Sequence, residues 1–337
     1  MDSLETLRKL SARLGRNLDL IQAGGGNTSL KLRGELWIKA SGKWLINADS
    51  EEMFLPVAMS EIGASIERGE EYTMAQSGLR PSVETTMHAV IPQLCTIHVH
   101  SVNVLAWAAL SASPDAFADR LSGLRWVWIP YIHPGLPLAL RIREAISRTP
   151  ADVIVLQNHG LIVAADSCEA AEALLADVER RLQLPMRASS PPTHGTLASL
   201  VSDEWQIAAD DEVHALGTDR DTFEVATSGT MYPDHCVYLG HALAKLYPGE
   251  PPAHAVERYR AQWEKRPAVL VCEGAGVLTS AELSRAGREM LICLARVARR
   301  IPADEEVHYL RYEDVARLMN WDAEHYRQAM ARQMEQR

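Results

Sequence analysis

Apolar residues recur along the first half of the chain with spacings that alternate between those of helices and those of buried strands. Residues 2–15 carry four leucines on one stripe and predict an amphipathic helix capped by Asp2 or Ser3. Short apolar runs predict strands at 36–39, 94–101, 126–130, 153–157 and 161–165. Wider apolar spacing predicts helices at 60–68, 102–110, 138–147 and after Ser167. The pattern therefore indicates a chain that mixes helices and strands.

Two histidines share one of the predicted strands. Side chains alternate between the two faces of a strand, so His98 and His100 project to the same side. A third histidine, His159, follows the apolar run 153–157 in a polar turn that ends in glycine. A catalytic zinc site uses three protein ligands and keeps one position open. The three histidines are therefore candidate metal ligands, and histidines that merely hydrogen-bond at a polar sheet edge are the alternative.

Three polar segments lie between the predicted elements. Three glycines at 24–26 precede Asn27, Thr28 and Ser29, which favours either a backbone cradle for an anion or a flexible loop. A second tight turn, at 40–43, carries a hydroxyl and a lysine. In the third segment, Glu84 falls in the first turn of a helix, where a carboxylate ordinarily complements the helix dipole. His88, one turn later, is interpreted as a packing residue.

Composition narrows the class of protein. The 337 residues are 47% apolar and 23% charged, as in a soluble globular protein, and no apolar run is long enough to cross a bilayer. The net charge of −10 argues against nucleic acid as a partner. The first residues lack the features of a signal peptide, and the five cysteines contain no C-x-x-C pair. We therefore expect reduced cysteines, no membrane partner and a cytoplasmic location.

Six short motifs occur together in an order and spacing that resemble one known family, the class II aldolase/adducin family. This family includes sugar-phosphate aldolases of the fuculose-phosphate and rhamnulose-phosphate type. The resemblance covers roughly residues 5–185. The motifs are Gly25-Gly26-Asn27-Thr28-Ser29, Ser41-Gly42, Ser82-Val83-Glu84, His98-Val99-His100, Pro130-Tyr131 and Asn158-His159-Gly160.

The resemblance implies an α/β fold, a three-layer α/β/α domain with a mainly antiparallel central sheet. It implies Zn²⁺, or another divalent transition metal, held by His98, His100 and His159. Glu84 corresponds to the acid/base beside the metal, and Tyr131 to a tyrosine that reaches a neighbouring subunit's site in a homo-oligomer. The residues that correspond to substrate-phosphate contacts are Asn27, Ser41, Gly42 and Ser82.

The implied activity is that of a class II, metal-dependent aldehyde-lyase. Such an enzyme cleaves a ketose or ketose phosphate by a retro-aldol reaction through a metal-stabilised enediolate. An epimerase, decarboxylase or dehydratase on a sugar phosphate is an alternative, as is a non-enzymatic adducin-like scaffold. The 4-epimerases of the family carry Asp at the position of Glu84, which favours aldol cleavage. Val83 and Ala40 depart from the family pattern, which weakens the phosphate assignment more than the zinc assignment.

The second half begins after a stretch of linker composition. We expect a zinc domain at 1–185, a linker at 186–200 and a C-terminal α/β extension at 201–337. Residues 268–278 resemble 152–162 at an offset of 116 positions, which suggests a degenerate repeat. In that register His159 faces Ala275, so the repeat would bind no zinc. An unrelated extension that shapes the pocket or the subunit contacts is the alternative.

Overall fold

The computed structural model describes residues 3–73, 78–111 and 113–335. The chain divides into two compact units. The first takes in the described residues of Met1–Ala108, Ala112–Gln183 and Trp321–Arg337, and the second those of Ala109–Ser111 and Leu184–Asn320. The end of the chain thus packs with the first unit rather than with the segment that precedes it in sequence.

A seven-stranded sheet forms the centre of the first unit. Its order is β3-β2-β1-β4-β7-β6-β5, and every neighbouring pair is antiparallel except β5 and β6. The predicted mainly antiparallel sheet is confirmed. The strands are β1 (Asn27–Leu32), β2 (Glu35–Lys39), β3 (Phe54–Ala58), β4 (Cys95–Val99), β5 (Trp126–Ile129), β6 (Val153–Leu156) and β7 (Gly160–Ala165).

Helices cover both faces of this sheet and give the three-layer α/β/α arrangement. Alternate residues of β2, Leu36 and Ile38, are fully buried in an apolar cluster with Ile62 of α2. On the other face, α1 lies against β1, and α7 lies against β4 and β7. The helices are α1 (Leu4–Gly15), α2 (Met59–Arg68), α3 (Thr85–Val90), α4 (Val102–Ala108), α5 (Ser113–Arg120), α6 (Leu136–Arg148) and α7 (Cys168–Leu182).

Local chemistry sets the ends of several helices. The Ser3 side chain accepts a hydrogen bond from the Thr6 amide and caps α1, as predicted, whereas Asp2 lies outside the described residues. Ser167 caps α7 in the same way, and Gly69 ends α2 with a positive φ of 71°. The segment between β2 and β3 contains a short 3₁₀ helix at Leu45–Asn47.

The second unit contains a four-stranded sheet of order β8-β11-β10-β9. Only β9 and β10 are parallel. The strands are β8 (Trp205–Ile207), β9 (Ala244–Leu246), β10 (Val269–Cys272) and β11 (Gly276–Ser280). The helices are α8 (His194–Ala198), α9 (Ala215–Thr218), α10 (Arg220–Ser228), α11 (Pro233–Leu239), α12 (Pro252–Trp263), α13 (Arg285–Ala298) and α14 (Tyr312–Met319), with α15 (Asp322–Glu335) returning to the first unit.

Four strands of the first unit, β4-β7-β6-β5, have the order and directions of β8-β11-β10-β9. Each set has two antiparallel pairs and ends on one parallel pair, and in both sets the central hairpin joins the last two strands in sequence. The register also agrees, because Leu156 pairs with Gly160 and Cys272 pairs with Gly276, both shifted by 116 positions. The two strand sets are therefore alike in topology and in pairing.

Candidate active site

The three histidines come from one strand and one neighbouring turn. His98 lies inside β4, where it pairs with Asn27 of β1 and Ile162 of β7. His100 follows the strand directly, and its amide donates to the Leu20 carbonyl (2.9 Å). Because β7 is hydrogen-bonded to β4, the turn that precedes β7 brings His159 to the end of β4.

The backbone of this turn explains its polar and glycine residues. Asn158 has a φ of +51°, a left-handed conformation that asparagine tolerates better than most residues. A Cβ on Gly160 would lie 2.5 Å from the Val99 carbonyl oxygen, so only glycine lets the turn approach β4 this closely. The same close approach holds His159 against the other two histidines.

The three buried imidazoles form a compact cluster. Their ring centroids are 5.0, 5.1 and 5.5 Å apart, and one nitrogen from each ring can be chosen so that all three lie within 4.8 Å of one another. The Nε2 atoms of His98 and His100 are 3.2 Å apart. Tetrahedral zinc with Zn–N bonds near 2.0–2.1 Å separates its ligand atoms by about 3.3 Å. The donor set and its spacing therefore fit a divalent transition metal.

Hydrogen bonding and burial keep His98 in a protonation state that could bind a metal. Its Nδ1 lies 3.1 Å from the Leu161 carbonyl oxygen and must carry the proton to donate there, so Nε2 faces the cluster with its lone pair. Burial lowers the pKa of His98 to about 3, against the opposing effect of Glu84, which keeps the imidazole neutral. A neutral imidazole is the form that binds a metal.

Glu84 closes the cluster from α3. It occupies the N-cap position of that helix, but its side chain makes no capping bond and turns to the histidines instead. Its Oε1 lies 3.4 Å from the Nε2 atoms of both His98 and His159. Burial disfavours the charged carboxylate, but the imidazoles of His98, His159 and His100 outweigh it, so the pKa of Glu84 lies well below its ordinary value. The carboxylate is therefore ionised beside the candidate ligands.

Asn27 and Ser82, two of the four residues expected to contact a substrate phosphate, are hydrogen-bonded to Glu84 and to each other. Asn27 Nδ2 donates to Glu84 Oε2 (2.6 Å) and lies 3.1 Å from Ser82 Oγ. Ser82 Oγ also accepts from the Glu84 amide (3.2 Å). The structure thus places Asn27 and Ser82 beside Glu84.

Ser41 reaches the same region through the backbone, and Gly42 follows it in the turn. The Ser41 amide donates to the Arg80 carbonyl (2.8 Å), and the Ser82 amide donates to the Lys39 carbonyl (2.9 Å). Among the described residues, the buried Ser41 hydroxyl has no hydrogen-bond partner, so it is free to receive one. The assignment of Ser41 and Gly42 to a phosphate stays a prediction.

Tyr131 lies directly after β5 and Pro130. Its amide donates to the side-chain oxygen of Gln157 (3.1 Å), two residues before His159. This bond ties Tyr131 to the turn that carries His159. Its predicted action in a neighbouring subunit's site stays a prediction.

Two polar residues of the site were not predicted from the sequence. His88, interpreted there as a packing residue, is hydrogen-bonded to Ser29 and Asn27, and its position four residues after Glu84 on one helix was the available signal. Lys39 is 2% exposed, and its Nζ donates to the Gly24 carbonyl (2.7 Å) in the glycine loop. A charged residue that ends an otherwise apolar strand could have indicated it.

Comparison with known proteins gives a family match over the first unit. The model of a family described as Class II Aldolase and Adducin N-terminal domain matches residues 5–185. Among curated proteins, the chain is 28% identical over 187 residues to "Uncharacterized oxidoreductase YuxG" of Bacillus subtilis. That alignment covers 49% of this chain, and the chain spans only about a quarter (27%) of the length of this relative.

Solved structures of the same family also align with about half of the chain. The N-terminal class II aldolase domain of a Thermoplasma acidophilum protein is 27% identical, with 54% of this chain and 93% of that chain covered and a TM-score of 0.46. The l-fuculose-1-phosphate aldolase of Thermus thermophilus is 19% identical, with 53% and 92% covered and a TM-score of 0.38.

Proposed function

Because the chain belongs to the class II aldolase and adducin family, we propose that it is a metal-dependent aldehyde-lyase with Zn²⁺ at His98, His100 and His159. Its substrate is a ketose or ketose phosphate, which it cleaves by a retro-aldol reaction. The first unit carries the site, and the protein acts as a homo-oligomer on a small molecule. The motif positions and the net charge of −10 together support a small-molecule substrate over nucleic acid.

One observation carries the proposal. The Glu84 carboxylate lies 3.4 Å from two imidazole nitrogens of a cluster whose spacing fits a metal. General acid/base chemistry beside a metal requires a carboxylate within reach of the reacting proton, and Glu84 is buried in that position. A bound divalent ion would act as a Lewis acid that stabilises negative charge on substrate oxygens.

The protein's own residues account for the proton transfers. When the C–C bond breaks, its electron pair stays on the ketose fragment that keeps the carbonyl, and the hydroxyl on the other carbon becomes an aldehyde. In the reverse, bond-forming direction, the Glu84 carboxylate takes a proton from the carbon next to the carbonyl, and the Tyr131 phenol gives its proton to the aldehyde oxygen as the C–C bond forms. In cleavage both protons return along the same path. Asn27 orients Glu84 through the 2.6 Å bond to Oε2, which leaves Oε1 toward the histidines.

The test is Glu84→Gln, which keeps the shape of the side chain and removes its basicity. We expect zinc content to stay at that of the wild type and turnover to fall by about 10²–10⁴-fold. The measurement is product analysis by NMR with a panel of ketoses and ketose phosphates and added Zn²⁺. Glu273→Gln, an exposed glutamate of the second unit, is the matched control and should leave turnover unchanged.

Full activity of Glu84→Gln would contradict the assignment of the acid/base. A wild-type product with all C–C bonds intact would contradict aldol cleavage and favour the epimerase or dehydratase alternatives. No turnover together with no bound metal would favour the scaffold.

We further propose that the second unit is a degenerate, metal-free copy of part of the first. The shared strand order, the shared register and the constant offset of 116 positions support this. His159 corresponds to Ala275, so the copy lacks that ligand. The linker at 186–200 and the extension at 201–337 stay predictions, while the compact second unit itself comprises Ala109–Ser111 and Leu184–Asn320.

A further inference from the structure

We propose that His88 is a positioning residue for the candidate acid/base: it fixes the orientation of the Asn27 amide, which in turn aims the carboxylate of Glu84. The inference rests on the proposed function for its chemical meaning. The geometry that supports it is independent of any bound metal.

A continuous row of hydrogen bonds links four buried side chains. Ser29 Oγ lies 2.7 Å from His88 Nδ1, and His88 Nε2 is hydrogen-bonded to Asn27 Oδ1. Asn27 Nδ2 then donates to Glu84 Oε2 over 2.6 Å. Ser29, Asn27 and His88 are each no more than 2% exposed, and Glu84 is 6% exposed. The row thus begins in the sheet and ends beside the candidate metal ligands.

The donor and acceptor of each hydrogen bond in this row follow from the orientation of the Asn27 amide. The Asn27 amide turns its nitrogen toward the Glu84 carboxylate and its oxygen toward His88. That oxygen requires a donor, so His88 carries its proton on Nε2. Nδ1 is then an acceptor, and the Ser29 hydroxyl donates to it. Each donor in the row then faces an acceptor.

His88 therefore supplies an N–H donor that fixes the Asn27 amide, which an apolar packing residue could not do. An asparagine amide can rotate by half a turn with little change in shape, and that rotation would present its oxygen to the Glu84 carboxylate. The donor at His88 Nε2 favours one of the two orientations and disfavours the other. Burial lowers the pKa of His88 to about 3, so the imidazole stays neutral and keeps this donor near neutral pH.

The test compares two substitutions of His88. His88→Phe retains a ring of similar size without either nitrogen, and His88→Gln restores an N–H donor toward Asn27. His235→Phe is the matched control, because His235 is also fully buried but lies in the second unit. The activity probe is deuterium exchange from D₂O into dihydroxyacetone phosphate and dihydroxyacetone by the zinc-loaded protein.

We expect His88→Phe to lower kcat for exchange by about 10–100-fold while KM and zinc content stay at their wild-type values. His88→Gln should recover most of that loss, and His235→Phe should exchange as the wild type does. A KM increase or zinc loss equal to the kcat effect, or no recovery by His88→Gln, would overturn the proposal in favour of a merely structural role.

A second readout needs no activity. NMR of protein labelled with ¹⁵N-histidine should show His88 as the neutral Nε2–H tautomer from pH 6 to 8, in zinc-free and zinc-loaded protein. An Nδ1–H tautomer or a charged ring would overturn the proposal even if exchange is never detected. Failure of exchange in the wild type with the predicted tautomer present would count against the proposed function and leave the row of bonds supported.

Discussion

The turn between β6 and β7 and the turn between β10 and β11 have similar backbone conformations. They differ in the residue at the centre of the turn. In each, the glycine that opens the last strand, Gly160 or Gly276, has a positive φ. Two positions before that glycine stands a residue with a left-handed φ, Asn158 at +51° and Gly274 at +74°. The residue between them is His159 in one turn and Ala275 in the other.

The strands that lie beside the two turns, β4 and β8, differ more than the turns themselves do. In the first unit, β4 pairs His98 with Ile162 and continues to Val99. In the second unit, Ile207 pairs with Leu278 at the corresponding position, and β8 ends there. A Cβ on Gly160 would meet the Val99 carbonyl oxygen at 2.5 Å, whereas a Cβ on Gly276 would meet the Nδ1 atom of His214 at 2.8 Å.

His214 thus replaces part of a strand in the second unit. Its Nδ1 accepts from the Val277 amide (3.1 Å), and its Nε2 donates to the Ala208 carbonyl (3.2 Å). A cavity of about 310 Å³ lies near this turn and is lined by Leu200, Leu246, Cys272 and Ala275 among others. The strand arrangement of the second unit thus forms without a cluster of three histidines. Strand pairing alone therefore does not account for the cluster in the first unit.

The largest effect should come from making the first turn resemble the second. His159→Ala removes one of the three candidate ligands, and two imidazoles do not complete a zinc site, so zinc should fall from about one ion per chain to less than about 0.1. The measurement is elemental analysis of protein purified without chelator. The reciprocal change, Ala275→His, adds a single imidazole where Ile207 offers no ligand and both nitrogens of His214 are engaged with the backbone, so it should leave zinc content unchanged.

Either of two results would contradict this expected difference in zinc binding between the two units. Zinc retained in His159→Ala would show that the cluster is not the metal site. A second equivalent of zinc in Ala275→His would show that the second unit still holds other ligands.

A smaller effect should come from His214→Phe, which keeps a ring but leaves the Val277 amide and the Ala208 carbonyl without their partner. Buried polar groups that lose a partner cost about 1–3 kcal/mol, so we expect the free energy of unfolding to fall by about that amount with zinc content unchanged. Chemical denaturation monitored by circular dichroism measures it. No loss of stability would mean that His214 does not replace the strand.

The same variant has a pH signature. Burial lowers the pKa of His214 below its unfolded value of about 6.5. A folded pKa below the unfolded one gives stability that is present above the unfolded pKa and lost as pH falls. The difference in unfolding free energy between wild type and His214→Phe should therefore be largest near neutral pH and should shrink below about pH 6.5.

Much of the first unit could be predicted from periodicity alone. Helix α1, strand β4 and the strand that leads to His159 all follow from apolar spacing, because each buries one face or both. The alternation of a strand also predicted that His98 and His100 share a face. That Glu84 stands beside them did not follow from spacing, because α3 and β4 meet only through the tertiary fold.

What the sequence could not supply depends on contacts between distant segments. His88 appeared as a packing residue, since its partners Ser29 and Asn27 lie 59 and 61 positions away. The end of the chain was expected to belong with the C-terminal extension, yet the Arg80 guanidinium lies over the Tyr326 ring (4.4 Å) in the first unit. Side-chain chemistry at such contacts has no periodic signal along the chain.

The proposed function requires one divalent ion between His98, His100 and His159 and none in the second unit. The most direct measurement is an anomalous difference map, recorded at the zinc absorption edge from crystals of the zinc-loaded protein. We expect a peak enclosed by the three imidazoles and no peak beside Ile207 and Ala275. The absence of a peak at the histidines, or a peak in the second unit alone, would contradict it.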